Sequence, residues 1–319
     1  MSTTTTTTTS MTRSTTTGAL AVPGATLHYQ ICGTGRTLLI SQSGEGDADR
    51  SRDLVAELSD TYTVVTYDRR GLSRSRLDDP GRGVTMAEHA DDVHRLLAAL
   101  TDTPALMLGC SLGAVIGLHV ALAHPEQVQT LVAHEPVAPR LLPDDRRARH
   151  ERELAALQDL YLRAGLGATL PEIARTLGID PAGADREADL TPQPMTPQRV
   201  ANFDHFIRHD FTAIIDDTLD AAALRDVDTR IVPAAGRTTP RSVFDHLAAA
   251  ALATLLDRRL HVAPGGHNGN TTHPRAYARW LRETLEAADR QAGAPAGPDR
   301  ARGRRGAGAA AVSGAAAPR

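Results

Sequence analysis

Short apolar runs alternate with stretches of helical periodicity along most of the chain. Residues 18–22 and 25–32 read as two strands joined at Pro23-Gly24. Residues 37–41 form a short buried strand, and the β-branched run 62–67 suits a strand covered on both faces. Over 86–100 the apolar positions Val93, Leu96, Leu97 and Leu100 repeat at helical spacing. Further strands are expected at 105–108, 129–133, 230–234 and 260–263, with a closing helix at 275–287. The alanine-rich run 247–256 is too short to span a bilayer and reads as a packed helix. Alternation of this kind predicts an α/β fold, a mostly parallel central sheet with helices on both faces.

One stretch breaks the pattern. Residues 137–224 hold no convincing strand; they are polar and helical, punctuated by Pro143, Pro171, Pro181, Pro192, Pro194 and Pro197. An insertion following the strand that ends near Glu135 falls over the carboxyl end of the sheet, where α/β proteins bind ligands. It is read as a helical cap whose inner helix lies within 195–211. Residues 18–136 and 225–289 then make the core. The threonine tract 1–17 and the Ala/Gly/Pro/Arg stretch 290–319 bury too little apolar surface to order and are expected to be disordered.

Composition narrows the chemistry. The formal charge of −3 leaves no footprint for nucleic acid or acidic lipid. Every basic side chain is arginine, which excludes a Schiff-base lysine and a Walker-type phosphate loop. Cys32 and Cys110 form neither a disulfide framework nor a metal-ligand spacing, so no metal and no cofactor are expected. The threonine tract lacks the apolar region of a secretory signal, and a cytoplasmic location is expected. The expected partner is a small molecule, with no nucleic acid and no membrane; a homodimer is left open.

What remains is serine, histidine and carboxylate chemistry. In residues 106–114 an apolar strand runs into Gly109-Cys110-Ser111-Leu112-Gly113 and out into a helix. A serine on so tight a turn is strained and presented at the sheet edge. Its hydroxyl needs a base, and the base an orienting acid. His267, in Pro264-Gly265-Gly266-His267-Asn268-Gly269 after the last strand, is the expected base; its rival His273 is expected to cap a helix or face solvent. The loop 234–240 contains no carboxylate, so Glu135 of His134-Glu135-Pro136 is assigned as the acid, with Asp245 next in line. Leu112 and Gly44 are expected to offer the two N–H donors of an oxyanion hole, and Ser43 of the same loop to meet the substrate. The segment 68–75 is read as a structural turn.

These motifs resemble those of the α/β-hydrolase superfamily: Tyr67-Asp68-Arg69-Arg70-Gly71-Leu72-Ser73-Arg74-Ser75, the turn at Ser111, His124-Pro125-Glu126 and the His267 loop. Within it the chain is similar to the zearalenone lactonases through Gly109-Cys110-Ser111-Leu112-Gly113-Ala114, His134-Glu135-Pro136, the loop 234–240 followed by Phe244-Asp245, and Gly265-Gly266-His267 with Thr272-His273-Pro274. The resemblance implies a metal-free Ser–His–Glu triad that opens a lactone or cleaves an ester. Those lactonases place a cap tryptophan on the substrate. Here the only tryptophan is Trp280, in the closing helix, and Phe203 and Phe206 occupy the matching cap region as expected pocket walls. Alternatives are a carbon–carbon bond hydrolase or acyltransferase of the same fold, or a hydrolase-like protein that only binds its ligand. Dehalogenases and epoxide hydrolases of this fold use an aspartate where Ser111 stands.

Overall fold

The computed structural model of the chain describes residues 14–180 and 183–293. Its sheet contains β1 (Thr15–Val22), β2 (Ala25–Cys32), β3 (Arg36–Ser41), β4 (Tyr62–Tyr67), β5 (Arg76–Leu77), β6 (Ala105–Cys110), β7 (Val128–His134), β8 (Arg230–Gly236) and β9 (His261–Ala263). The spatial order is β1-β2-β4-β3-β6-β7-β8-β9, with β5 paired to β2. Pairing is parallel from β4 through β9, while β1 and β2 form an antiparallel hairpin and β2 meets β4 antiparallel. The fold is thus the expected α/β architecture with a mostly parallel sheet.

Strand periodicity divides the core. Leu38, Ile40, Leu106 and Leu108 point to one face, where Leu54 and Leu58 of α1 (Arg52–Leu58) and Tyr277 and Leu281 of α9 (Pro274–Gly293) cover them. Their neighbours Leu39 and Met107 point to the other face. That face is covered by α2 (Met86–Leu100), α3 (Leu112–Ala123) and α7 (Phe244–Leu255). A complete capping box at Thr85 and Glu88 starts α2.

The chain between β7 and β8 is helical: α4 (Asp144–Thr176), broken at Gly165 (φ 73°), then α5 (Pro197–His205), a π-helical turn Phe206–Asp210 and α6 (Phe211–Ile215). The segment joining α4 to α5 runs back over the core. There the Glu187 carboxylate accepts from the backbone N–H groups of Arg275 (3.0 Å) and Ala276 (2.9 Å) at the start of α9. The Glu187 N–H donates to the Thr272 carbonyl (2.9 Å), and the Thr191 hydroxyl to Asp53 (2.6 Å).

Two boundaries differ from expectation. Thr15, Thr16 and Thr17 belong to β1, because threonine is β-branched and the hairpin partner Gln30–Cys32 extends far enough to pair them; the rest of the expected disordered start, 1–13, lies outside the described residues. At the other end α9 continues to Gly293, and 294–319 lies outside the described residues.

Candidate functional site

β3 lies between β4 and β6, so the chain leaves its carboxyl end in one direction and returns on the other side. The crevice at such a switch point is where the loop 42–46 and the turn at Ser111 meet. The turn follows from close packing. A Cβ on Gly113 would stand 2.0 Å from the Ser41 carbonyl oxygen, and one on Gly109 would stand 2.5 Å from that of Gly113. Only glycine lets β3, β6 and α3 approach this closely. Ser111 between them is held at φ 56°, ψ −116°, a conformation a non-glycine residue adopts only when its surroundings impose it. α3 begins at the next residue. The N–H groups of Leu112 and Gly44 donate no hydrogen bond within the described residues.

Glu135 follows β7 directly and also has a positive φ, 45°. It is fully buried. One carboxylate oxygen accepts from the Gly236 N–H (2.8 Å), the other from His267 Nδ1–H (2.8 Å). Burial alone would raise its pKa; the His267 hydrogen bond, the charges of His134 and His267 and the Gly236 N–H outweigh it and bring it down to about 2. His267 is pushed down by burial, but the Glu135 hydrogen bond and the charges of Asp245 and Glu135 prevail, and its pKa rises. With Nδ1 held by Glu135, Nε2 is the nitrogen free to accept a proton, and it has no partner within the described residues.

Asp245 is the second carboxylate on the same nitrogen, at 3.7 Å from His267 Nδ1. Both of its oxygens are buried without a hydrogen bond. Burial raises its pKa to about 6, against the charges of His267 and His150. The structure therefore pairs His267 with Glu135 and places Asp245 behind them, while Ser111 lines the same cavity as His267 without a hydrogen bond to its Nε2. His273 takes the capping position of its two expected roles, ending the short helix Gly269–Thr272 and accepting the Tyr277 N–H at the start of α9. It does not face solvent: it is buried, with Nδ1 at 2.9 Å from the Thr272 hydroxyl and Nε2 at 3.2 Å from Asp185. The segment around Asp185 folds over it.

A cavity of about 520 Å³ opens over Ser111 and His267, and Ser43, Gly44, Phe203 and Phe206 all line it. Phe206 sits so close to Gly44 that a Cβ there would fall within 2.1–2.5 Å of its ring. The insertion also holds the 42–46 loop directly and through Arg69. Arg199 of α5 pairs with Glu45 (2.8 Å). Asp210 pairs with Arg69 (2.9 Å), and both of those side chains are buried.

Arg69 was legible only as part of a structural turn, and it does more. Its guanidinium donates to three successive loop carbonyls: Gln42 (3.3 Å), Ser43 (3.0 Å) and Gly44. His89 Nε2 lies 3.0 Å from the other Asp210 oxygen. Burial works against the Asp210 charge, but Arg69 and His89 hold its pKa well below the usual carboxylate range. The sequence signal was the doubled arginine after Asp68; Arg70 serves Asp92 of α2 instead (2.6 Å).

Comparison with known protein families matches residues 36–159 to the α/β-hydrolase fold. The uncharacterized hydrolase YraK of Bacillus subtilis (strain 168) is 36% identical over 275 residues, covering 84% of this chain and 96% of that protein. A hydrolase from Pseudomonas aeruginosa PA01 is 25% identical with a TM-score of 0.64, over 84% of this chain and 98% of its own. The enol-lactonase from Burkholderia xenovorans LB400 shares the fold at 20% identity and a TM-score of 0.62, over 84% of this chain and all of its own. Among the described residues no helix is long and apolar enough to cross a membrane.

Proposed function

The chain belongs to the α/β-hydrolase family, and from that premise we propose that it is a serine hydrolase cleaving a carboxylic ester or lactone through an acyl-enzyme. The observation that carries this reading is the buried His267–Glu135 pair, 2.8 Å apart, which leaves Nε2 unpartnered in the cavity that Ser111 lines.

Ser111 Oγ attacks the substrate carbonyl while His267 Nε2 takes the hydroxyl proton. The negative charge moves to the carbonyl oxygen, between the Leu112 N–H at the start of α3 and the Gly44 N–H. When the tetrahedral species collapses, the C–O bond breaks and the imidazolium gives its proton to the leaving alkoxide. Water, deprotonated by His267, then attacks the acyl-serine and releases the acid and Ser111. Glu135 fixes the tautomer of His267 and stabilises the imidazolium in both half-reactions. The helical insertion serves as the cap, with Phe203 and Phe206 as apolar walls and Ser43 beside the carbonyl.

The loops resembling those of the zearalenone lactonases favour a lactone among the natural substrates, with phenylalanine in place of the cap tryptophan. The test sets wild type against Ser111→Ala on p-nitrophenyl acetate and butyrate and on a macrocyclic resorcylic lactone, with fluorophosphonate labelling of the serine. Serine-dependent opening of the lactone supports the narrower reading, and serine-dependent ester hydrolysis alone supports the mechanism. Turnover unaffected in Ser111→Ala, or an unlabelled serine with no turnover, refutes it.

A further inference from the structure

A second, much smaller chamber adjoins the main cavity at Ser111. Its volume is about 20 Å³, room for a single water or hydroxyl. Ile173, Leu177 and Phe206 wall both spaces. Apart from Ser111, its polar walls are His150 and Thr176; the rest is Val, Leu, Ile and Phe. His150 is 1% exposed and Thr176 7%. Neither ring nitrogen of His150 nor the Thr176 hydroxyl has a hydrogen-bond partner within the described residues. Glu153 lies 3.9 Å from Nδ1, an ion-pair contact too long for a hydrogen bond, and Asp245 interacts with the ring only through charge.

Buried polar groups without partners are rare, and each calls for one. An imidazole and a hydroxyl together offer a donor and an acceptor, the complement of an alcohol. The apolar remainder of the chamber gives a ligand group no other polar contact. The chamber is the more enclosed of the two spaces, so the leaving alcohol has its exit through the main cavity, and the acyl side is the part that fits the chamber.

Resting on the serine-hydrolase reading above, we propose that His150 and Thr176 form an acyl subsite for a hydroxyl close to the scissile carbonyl, so that the substrates are esters or lactones of short hydroxy acids. In the free protein the subsite holds a water, which the substrate hydroxyl replaces. The hydroxyl donates to one wall group and accepts from the other, and a bare alkyl chain leaves both unpaired.

The experiment measures kcat/KM by pH-stat for ethyl butyrate, ethyl 2-hydroxybutyrate and ethyl 3-hydroxybutyrate, in wild type, Thr176→Val and His150→Phe. Wild type is expected to favour one hydroxy ester over ethyl butyrate by at least about tenfold, the worth of one buried hydrogen bond. Thr176→Val, which preserves shape, should reduce that preference, taken as the ratio of hydroxy ester to ethyl butyrate within each variant, to near unity; His150→Phe should do the same if it folds. Equal turnover of all three esters by wild type, or a preference that survives in Thr176→Val and in a folded His150→Phe, overturns the subsite and leaves the hydrolase reading standing. No turnover of any ester together with no fluorophosphonate labelling of Ser111 removes both.

Discussion

Replacing Glu135 by glutamine tests the whole arrangement with a change of one atom. The amide oxygen can still accept the Gly236 N–H, so the positive-φ turn after β7 retains its anchor. The amide nitrogen, however, donates to Nδ1 and drives the proton to Nε2, where it blocks acceptance from Ser111. At a separation of 2.8 Å, the attraction between imidazolium and carboxylate is about 6 kcal/mol at an effective dielectric constant of about 20. That corresponds to about four powers of ten in rate. Asp245, at 3.7 Å, would supply about 4.5 kcal/mol on the same basis when ionised, but its pKa of about 6 leaves it protonated in acid.

The pH dependence of kcat/KM on p-nitrophenyl acetate between pH 5 and 9 separates these effects. In wild type, activity rises as His267 loses its proton, and the raised pKa puts the inflection above the ordinary 6.5. In Glu135→Gln the carboxylate that raised it is gone, so the inflection moves down while the plateau falls by about four powers of ten. Adding Asp245→Asn removes the residual activity that appears as Asp245 ionises. A Glu135→Gln plateau within tenfold of wild type, or an unchanged inflection, would show that Glu135 does not orient the base.

Gly44→Ala should lower activity at least tenfold, because the new methyl meets the Phe206 ring and displaces the loop; ester turnover by the double variant with Phe206→Ala should recover part of the loss. Asp210→Ala strands a buried guanidinium and should cost about 3–5 kcal/mol of unfolding free energy, measured in urea. The exposed pair Glu286–Arg290, cut by Glu286→Ala, should cost under about 1 kcal/mol in the same assay.

The sheet and the Ser111 turn were legible because their signals are local. A β-branched run, a glycine beside a serine and an apolar strand before it all lie within a few residues of one another. Glu135 could be read because a residue that ends one strand of a parallel sheet emerges beside the end of the next. Arg69 could not be read as the support of the 42–46 loop. Its partner Asp210 lies 141 residues further on, and the insertion that carries it has no periodicity tying it to a particular loop. His150 was silent for a related reason: it stands among charged residues at the start of α4, and only the packing of Phe244 against its ring, with centroids 4.3 Å apart, turns it inward. The β1 threonines show the opposite failure. A low-complexity tract looked too polar to order, yet pairing with β2 needs only backbone groups and β-compatible side chains.

The strap between α4 and α5 bears on how selectivity arises. Glu187 and Thr191 fasten the insertion to α9 and α1, next to the short helix that follows His267, while Asp210 and Arg199 fasten its other side to the 42–46 loop. A wall tied along both edges is a mould set when the chain folds. The entropy of ordering it falls on folding and is not levied again at each encounter with substrate. If the proposed ester or lactone hydrolysis holds, discrimination between acyl groups rests on fit to a standing shape rather than on a wall that forms around each substrate.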